Sequence, residues 1–303
     1  MISTKNLGAL VRLRALPASQ LPAHPDLSSH QSATTSPVLN FAADALREAH
    51  DFTTSYLPAN FSTKSNDKHS SPASASIALL AHDIKASDLP REIGDAVVEA
   101  NGAGGATEHW FARVSEHENK EEDGTASWEE FDFALRVDHS QHERAYTPDV
   151  LDAHVVLDYS AQLQTSEGGG RVEGGWEDVS VQVMEMLHHI PSPLNNRVFT
   201  VLVITGKRGR EFLTVQIPVE TRHLPGLKYV ADGSVTAGMY VSVERGELVE
   251  EGRKTRWEMA TASDAGGNLP MWAQKLGTPG AVVKDVGLVV KWIEQRRGEG
   301  RKM

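Results

Sequence analysis

Apolar residues recur along this chain with two different periods, and the change comes near residue 105. Before it, Leu39, Ala42, Leu46, Ala49, Phe52 and Tyr56 repeat at helical spacing after Ser36-Pro37, which predicts a helix over 38–56. Residues 61–76 are rich in Ser, Lys, Asn and Asp, with little periodicity, and read as a surface loop. Leu89, Ile93, Val97 and Ala100 predict a second helix over 88–100, which runs into the boundary signal of Gly102, Gly104 and Gly105. At the start of the chain, Leu7, Leu10, Val11 and Leu13 have the spacing of a short amphipathic helix. Lys5, Arg12 and Arg14 without any acid before Gln20 also suit a transit peptide, but packing on a core is the preferred reading.

After residue 105 the period is mostly two. His109–Ser115 predicts a short strand, the acidic stretch Glu116–Asp123 a solvated loop, and Ser127 with Glu130 a capping box that opens a helix. Strands are predicted over 152–163, 179–189, 197–205, 211–219, 238–245 and 254–262, joined by glycine-rich turns with no room for helical crossovers. The sheet is therefore expected to be mainly antiparallel. Val282, Val283, Val286, Val289, Val290 and Ile293 then form one helical stripe, with Thr278-Pro279 as its start and a separate helical piece over 269–276. A curved antiparallel sheet gripping one long C-terminal helix is an α+β, helix-grip arrangement. It divides the chain into an N-terminal helical extension over 1–105, a main domain over 106–297 and a tail over 298–303.

Several segments also resemble a known pattern: His109–Arg113, Tyr146-Thr147-Pro148, Asn196–Phe199, and above all Asp264–Trp272 through Gly277–Gly280. Together with Leu7–Pro25 they are similar to a fungal START-like family of unknown function, within the helix-grip, Bet v 1-like superfamily. The resemblance implies a Gly-x-Leu-Pro turn leading into a helix that lids a hydrophobic tunnel, with a sterol, phospholipid or other apolar molecule inside. Better-known START domains hold a buried charged pair in that tunnel, which the resemblance does not align onto particular residues of this sequence. The warrant is one of fold rather than of site chemistry.

Composition narrows the function. With 40% hydrophobic and 23% charged residues a sizeable core can form, and a net charge of −11 opposes binding to nucleic acid or to anionic lipid surfaces. The chain has no cysteine, so thiolate chemistry and disulfides are excluded, and a cytoplasmic location is expected. Its uncharged apolar runs are too short to span a bilayer, which leaves transient membrane contact but no stable insertion. His139 and His142 sit at metal-ligand spacing without a third ligand, and Thr205–Arg210 lacks the full phosphate-loop pattern, so no metal and no cofactor are expected.

The remaining candidates concern the interior. Glu185 and His189 share the alternation of Val181, Val183 and Leu187; if that face meets the helix, either could act as an acid–base group, about 13 Å apart at roughly 3.3 Å per residue. Arg197 would offer a cation on the face of Phe199. Tyr159, Val183, Trp257, Met259, Met271, Trp272, Val286 and Val290 complete the expected ligand wall, and Thr221–Ala237 an expected gate. Non-covalent binding, and transfer, of a lipid or other hydrophobic small molecule is the first reading. A cyclase- or isomerase-like enzyme acting on a polyketide-like metabolite is the second, and an interaction scaffold with a filled interior the third.

Overall fold

In the computed structural model, residues 3–101, 106–164, 170–264, 266 and 271–301 are described, with backbone only at 100, 101 and 271–278. The helix expected over 38–56 is α1 (Val38–Asp51), continued by a wider π-type turn over Phe52–Tyr56 and the short α2 (Leu57–Asn60). Thr53 and Thr54 donate their hydroxyls to the Ala49 and His50 carbonyls, occupying acceptors that the wider turn disturbs. The polar stretch that follows is not all loop. Ser62–Lys68 is an edge strand, β1, paired antiparallel with β2 (Ile77–Lys85). Its side chains are nearly all exposed, so backbone pairing makes the strand and leaves no apolar alternation to read. Helix α3 (Arg91–Asn101) begins directly after Pro90, and β3 (Thr107–Glu118) is longer than expected.

The capping box at Ser127 and Glu130 forms with both of its hydrogen bonds and opens α4 (Trp128–Leu135), followed by α5 (His139–Tyr146). Then come β4 (Val150–Asp158), the short α6 (Ser160–Gln164), β5 (Glu177–His188), β6 (Arg197–Arg208), β7 (Glu211–Pro218), β8 (Thr236–Val249) and β9 (Lys254–Asp264). All nine strands form one sheet in the order β1-β2-β3-β9-β8-β7-β6-β5-β4. Neighbours are antiparallel; a parallel contact joins Arg197–Phe199 to Thr236–Gly238, where β8 runs on past the end of β7. The first 105 residues thus supply two strands as well as helices, and β2 pairs with β3 along its whole length.

One face of the sheet, here the outer face, carries α1 and the N-terminal segment. Phe41, Ala42, Leu46 and Phe52 pack there with Val181, Val183, Leu202, Val215, Val243 and Ala260. No amphipathic helix forms over residues 7–13; only Thr4–Asn6 make a single 3-10 turn. The backbone donors of this segment are taken by one half-buried and one buried carboxylate instead. Glu48 accepts from Leu10 and Val11, while Glu108 accepts from the Leu13 N–H at 2.8 Å, Arg12 Nη1 at 3.0 Å and Trp110 Nε1 at 2.9 Å. Leu7, Val11, Leu13 and Leu16 are buried all the same.

The opposite, inner face carries α4, α5 and the C-terminal helix α7 (Met271–Gly298). That helix is continuous, without the expected break at Thr278-Pro279. Proline removes one intrahelical donor, and the backbone can remain helical around that loss. Val286, Val289, Val290 and Ile293 are fully buried against Trp257, Phe131 and Ile77, each worth about 1.5–3 kcal/mol. Gly287 lets α7 approach the 70–71 turn: a Cβ there would lie 2.5 Å from the Ser71 carbonyl oxygen. Glu130 ties the start of α4 to the end of α7 through Arg297 at 2.7 Å. Among the described residues no helix is long and apolar enough to cross a membrane.

Candidate functional site

Strand alternation sets two polar side chains of the inner face in one row, with a methionine between them. Arg113 of β3 stands opposite Met259 of β9, and Met259 opposite Glu244 of β8. The Arg113 guanidinium passes over the intervening strand to Glu244, with Nη2 donating to Oε1 at 3.1 Å, and lies 3.8 Å from the centre of the Trp257 ring. Trp257 Nε1 donates to the same carboxylate oxygen at 2.8 Å. Burial raises the Glu244 carboxyl and lowers the Arg113 guanidinium from their ordinary values, in each case against the pull of the partner. Arg113 is 1% exposed, and its Nε and Nη1 have no hydrogen-bond partner.

Two further carboxyls face this pair from the helices. Glu143 of α5 is pushed up to about 8, first by burial and then by Asp285 and Glu244; Asp285 of α7 is pushed up to about 6 by burial, with Arg113 opposing. Glu143 Oε2 is buried and makes no hydrogen bond, 3.7 Å from His139 Nε2. Tyr146 and Tyr240 complete the surroundings, and burial drives both phenols well above their ordinary range.

A directed chain of hydrogen bonds holds this end of the site. His139 Nδ1 lies 2.7 Å from the Leu135 carbonyl oxygen, which can only accept, so the proton is on Nδ1 and Nε2 carries a lone pair. Gln216 Nε2 donates to that lone pair at 3.2 Å, and Gln216 Oε1 accepts from the Tyr240 hydroxyl at 2.5 Å. Burial lowers His139 to about 4, so the ring is neutral. Its Nδ1 and that of His142 are directed at backbone carbonyls, and among the described residues no group of three His, Asp or Glu could hold a metal ion.

The expected wall residues divide between the two faces. Trp257, Met259, Val286 and Val290 stand on the inner side, as does Phe199, whose ring is 5.2 Å from that of Tyr240. Phe199 lies over Gly238, where a Cβ would come within 2.4 Å of the ring, so glycine permits this placement. Arg197 shares that alternation, is buried, and donates through Nη1 to the Asn195 carbonyl. The side chains of Met271 and Trp272 lie outside the described residues; their backbone opens α7.

Val183, Tyr159 and Glu185 belong elsewhere. On β5 the inner face is even-numbered: Met184 and Met186 join Val201 and Val203 there, while Val181 and Val183 pack in the outer core. Both faces of this strand are apolar, so its alternation could not reveal which one meets the helix. Glu185 consequently looks outward, where its carboxylate accepts the N–H groups of Lys228, Tyr229 and Val230 at 2.7, 2.9 and 2.9 Å. The segment expected as a gate is therefore fastened to the outer face, and Lys228 and Tyr229 also reach Asp152. His189 is exposed beyond the strand end, and its neighbour His188 takes the inner position beside Phe199. Tyr159 follows the end of β4, whose two register shifts break the expected alternation, and donates its hydroxyl to the Pro22 carbonyl in the outer core. Neither acid–base candidate faces the helix side.

The residues missed in the sequence are Arg113, Glu143, Tyr240, Glu244 and Asp285. Asp285 had a legible signal: it sits three residues after Val282 and four before Val289, a charge inside an apolar stripe.

Among solved structures, human STARD10 matches with a TM-score of 0.53 and 11% identity, over 83% of this chain and 81% of that one. Human StAR-related lipid transfer protein 5 matches with a TM-score of 0.54 and 10% identity, over 85% of this chain and 99% of that one. Likeness at such identity is a likeness of fold, and the fold is START-like helix-grip. No curated protein matches the chain. A family model described as "Protein of unknown function (DUF3074)" matches residues 110–293, and the chain belongs to that family.

Proposed function

We propose that this protein binds an apolar small molecule, a lipid or other hydrophobic metabolite, non-covalently between the inner face of the sheet and α7. The observation that carries this reading is Arg113: a guanidinium 1% exposed that keeps two donors without partners. Leaving a buried donor unsatisfied costs about 1–3 kcal/mol, more when charged, so such groups ordinarily find a partner. A ligand oxygen would supply one.

A second observation supports space in front of the arginine. Glu143, Tyr240 and Asp285 each retain accessible surface, yet burial displaces the titration of all three. Surface that water reaches, ringed by protein dense enough to desolvate a carboxyl, supports a recess there rather than a filled core. The fold is shared with a protein named for lipid transfer, and transfer here would follow from release at a transient membrane contact.

Native mass spectrometry of the purified chain after exposure to a lipid and metabolite extract tests the reading. A bound species is expected, and Met259→Trp, which fills the row between Arg113 and Glu244, should abolish it while the fold persists. Apo protein alone after that exposure would overturn the proposal.

A further inference from the structure

We infer that the polar end of the ligand is cationic, an amine or quaternary ammonium with an oxygen acceptor beside it, received by Glu143, Asp285 and Arg113. This rests on the ligand-binding reading above and concerns which class of molecule that site takes.

The charges facing the site do not balance. Among the described residues, three carboxyls, Glu143 on α5, Glu244 on β8 and Asp285 on α7, surround the single guanidinium of Arg113 on β3. Glu244 is already held by Arg113 and by Trp257 Nε1. Lys284, next to Asp285, is exposed and stands 3.9 Å from Asp149. His139, nearest to Glu143, presents the lone pair of Nε2 and no positive charge. Asp285 shares the one guanidinium with Glu244, and Glu143 is left without a close cation and its Oε2 without any hydrogen bond.

Without a ligand Glu143, pushed up to about 8, keeps its proton at neutral pH, whereas Asp285, at about 6, is mostly ionised there beside Arg113. A cation entering the recess would replace the Glu143 proton and leave two paired carboxylates. A neutral head would gain only hydrogen bonds from them, and an anionic head would meet three acids for one arginine. The open Nε and Nη1 of Arg113 call for an acceptor on the same head, which an amino alcohol or a zwitterionic lipid headgroup would each provide. The Trp257 face is already taken by Arg113. Because cation binding expels a proton from Glu143, affinity should climb with pH, by up to about tenfold per unit between pH 6 and 8.

Binding of decyltrimethylammonium, decanol, decanoate and decylphosphocholine to the intact chain, at submicellar concentration and at pH 6, 7 and 8, tests the inference. Calorimetry in two buffers of different ionisation enthalpy counts the protons released. The ammonium compounds should bind more tightly than decanol at pH 8, lose that advantage by pH 6, and release a proton near neutrality. Decylphosphocholine ahead of decyltrimethylammonium would identify a lipid headgroup as the source, and the reverse order a free amine-bearing amphiphile. Glu143→Gln mimics the protonated acid and should fold; it should keep decanol binding and lose both the cation preference and the proton release. Equal binding of decanol and the ammonium compounds, or an unchanged preference in Glu143→Gln, overturns the cation assignment while leaving ligand binding intact. If none of the four probes binds, the ligand-binding reading falls with it.

Discussion

Arg113 reaches across a strand to Glu244, spanning Met259, and the two are 131 residues apart in sequence yet 3.1 Å apart in space. Such a dry pair contributes little by existing and costs much when halved, since the survivor is a buried, uncompensated charge.

Arg113→Met should therefore destabilise the chain by about 3–5 kcal/mol, and adding Glu244→Leu should recover a large part of that loss. Denaturant unfolding of the two single variants and the double variant measures it. Single losses below about 1 kcal/mol, the range of exposed pairs, would mean the row is wetter than its burial indicates.

The Glu185 carboxylate closes a ring of three backbone N–H groups at Lys228, Tyr229 and Val230, which fastens the 219–235 connection to the outer face. Glu185→Ala should cost about 1.5–3 kcal/mol and expose those three amides to hydrogen exchange. Uptake of an apolar ligand at the inner face should be unchanged. Loss of uptake with the fold intact would return this connection to the role of a gate.

How far the fold can be read without coordinates follows from the same strand. The sequence of β5 alternates well enough to define a strand, but Val181 and Val183 on one face and Met184 and Met186 on the other are equally apolar, so inner and outer cannot be told apart. The long terminal helix is legible because Val282, Val286, Val289, Val290 and Ile293 bury one stripe and leave Lys284 and Lys291 outside. Strand β1 is illegible because its stability comes from backbone pairing on a polar edge. The polar site is hardest of all, since Arg113, Glu143, Glu244 and Asp285 come from four elements and only register brings them together; Asp285 alone interrupts a pattern strongly enough to draw notice.

Residues 106–297 alone should not form a stable domain. Removing residues 1–105 would strip β2 from the edge of β3 and uncover the outer core beneath α1, including Glu108, whose partner Arg12 would be gone. The fragment is expected to aggregate or to lose cooperative unfolding, as seen by circular dichroism and light scattering beside the full chain. A monomeric fragment with a cooperative transition would establish the first 105 residues as a dispensable extension.

Stability without ligand should peak near pH 6.5, with opposite groups responsible for the two flanks. Burial lowers His117 to about 3 and His139 and His188 to about 4, so each is neutral in the fold; their contribution is full above the ordinary 6.5 and is lost as pH falls toward 4. Glu143 behaves oppositely. Its carboxyl is raised from 4.5 to about 8, so the folded chain holds a proton that the unfolded chain releases, and that contribution declines as pH rises toward 8. Asp285, raised from 3.8 to about 6, subtracts in the same sense at lower pH, where the three histidines outweigh it and Glu143 together. Burial raises Glu244 and Glu48 in the same sense, but Glu143 is the carboxyl pushed up to about 8, so Glu143→Gln should make the alkaline flank shallower and leave the acid flank in place. Thermal unfolding of both proteins from pH 5 to 8.5 decides the matter: an alkaline slope undiminished in Glu143→Gln would mean that this carboxyl is already ionised in the folded chain, and that a cation entering the recess has no proton there to displace.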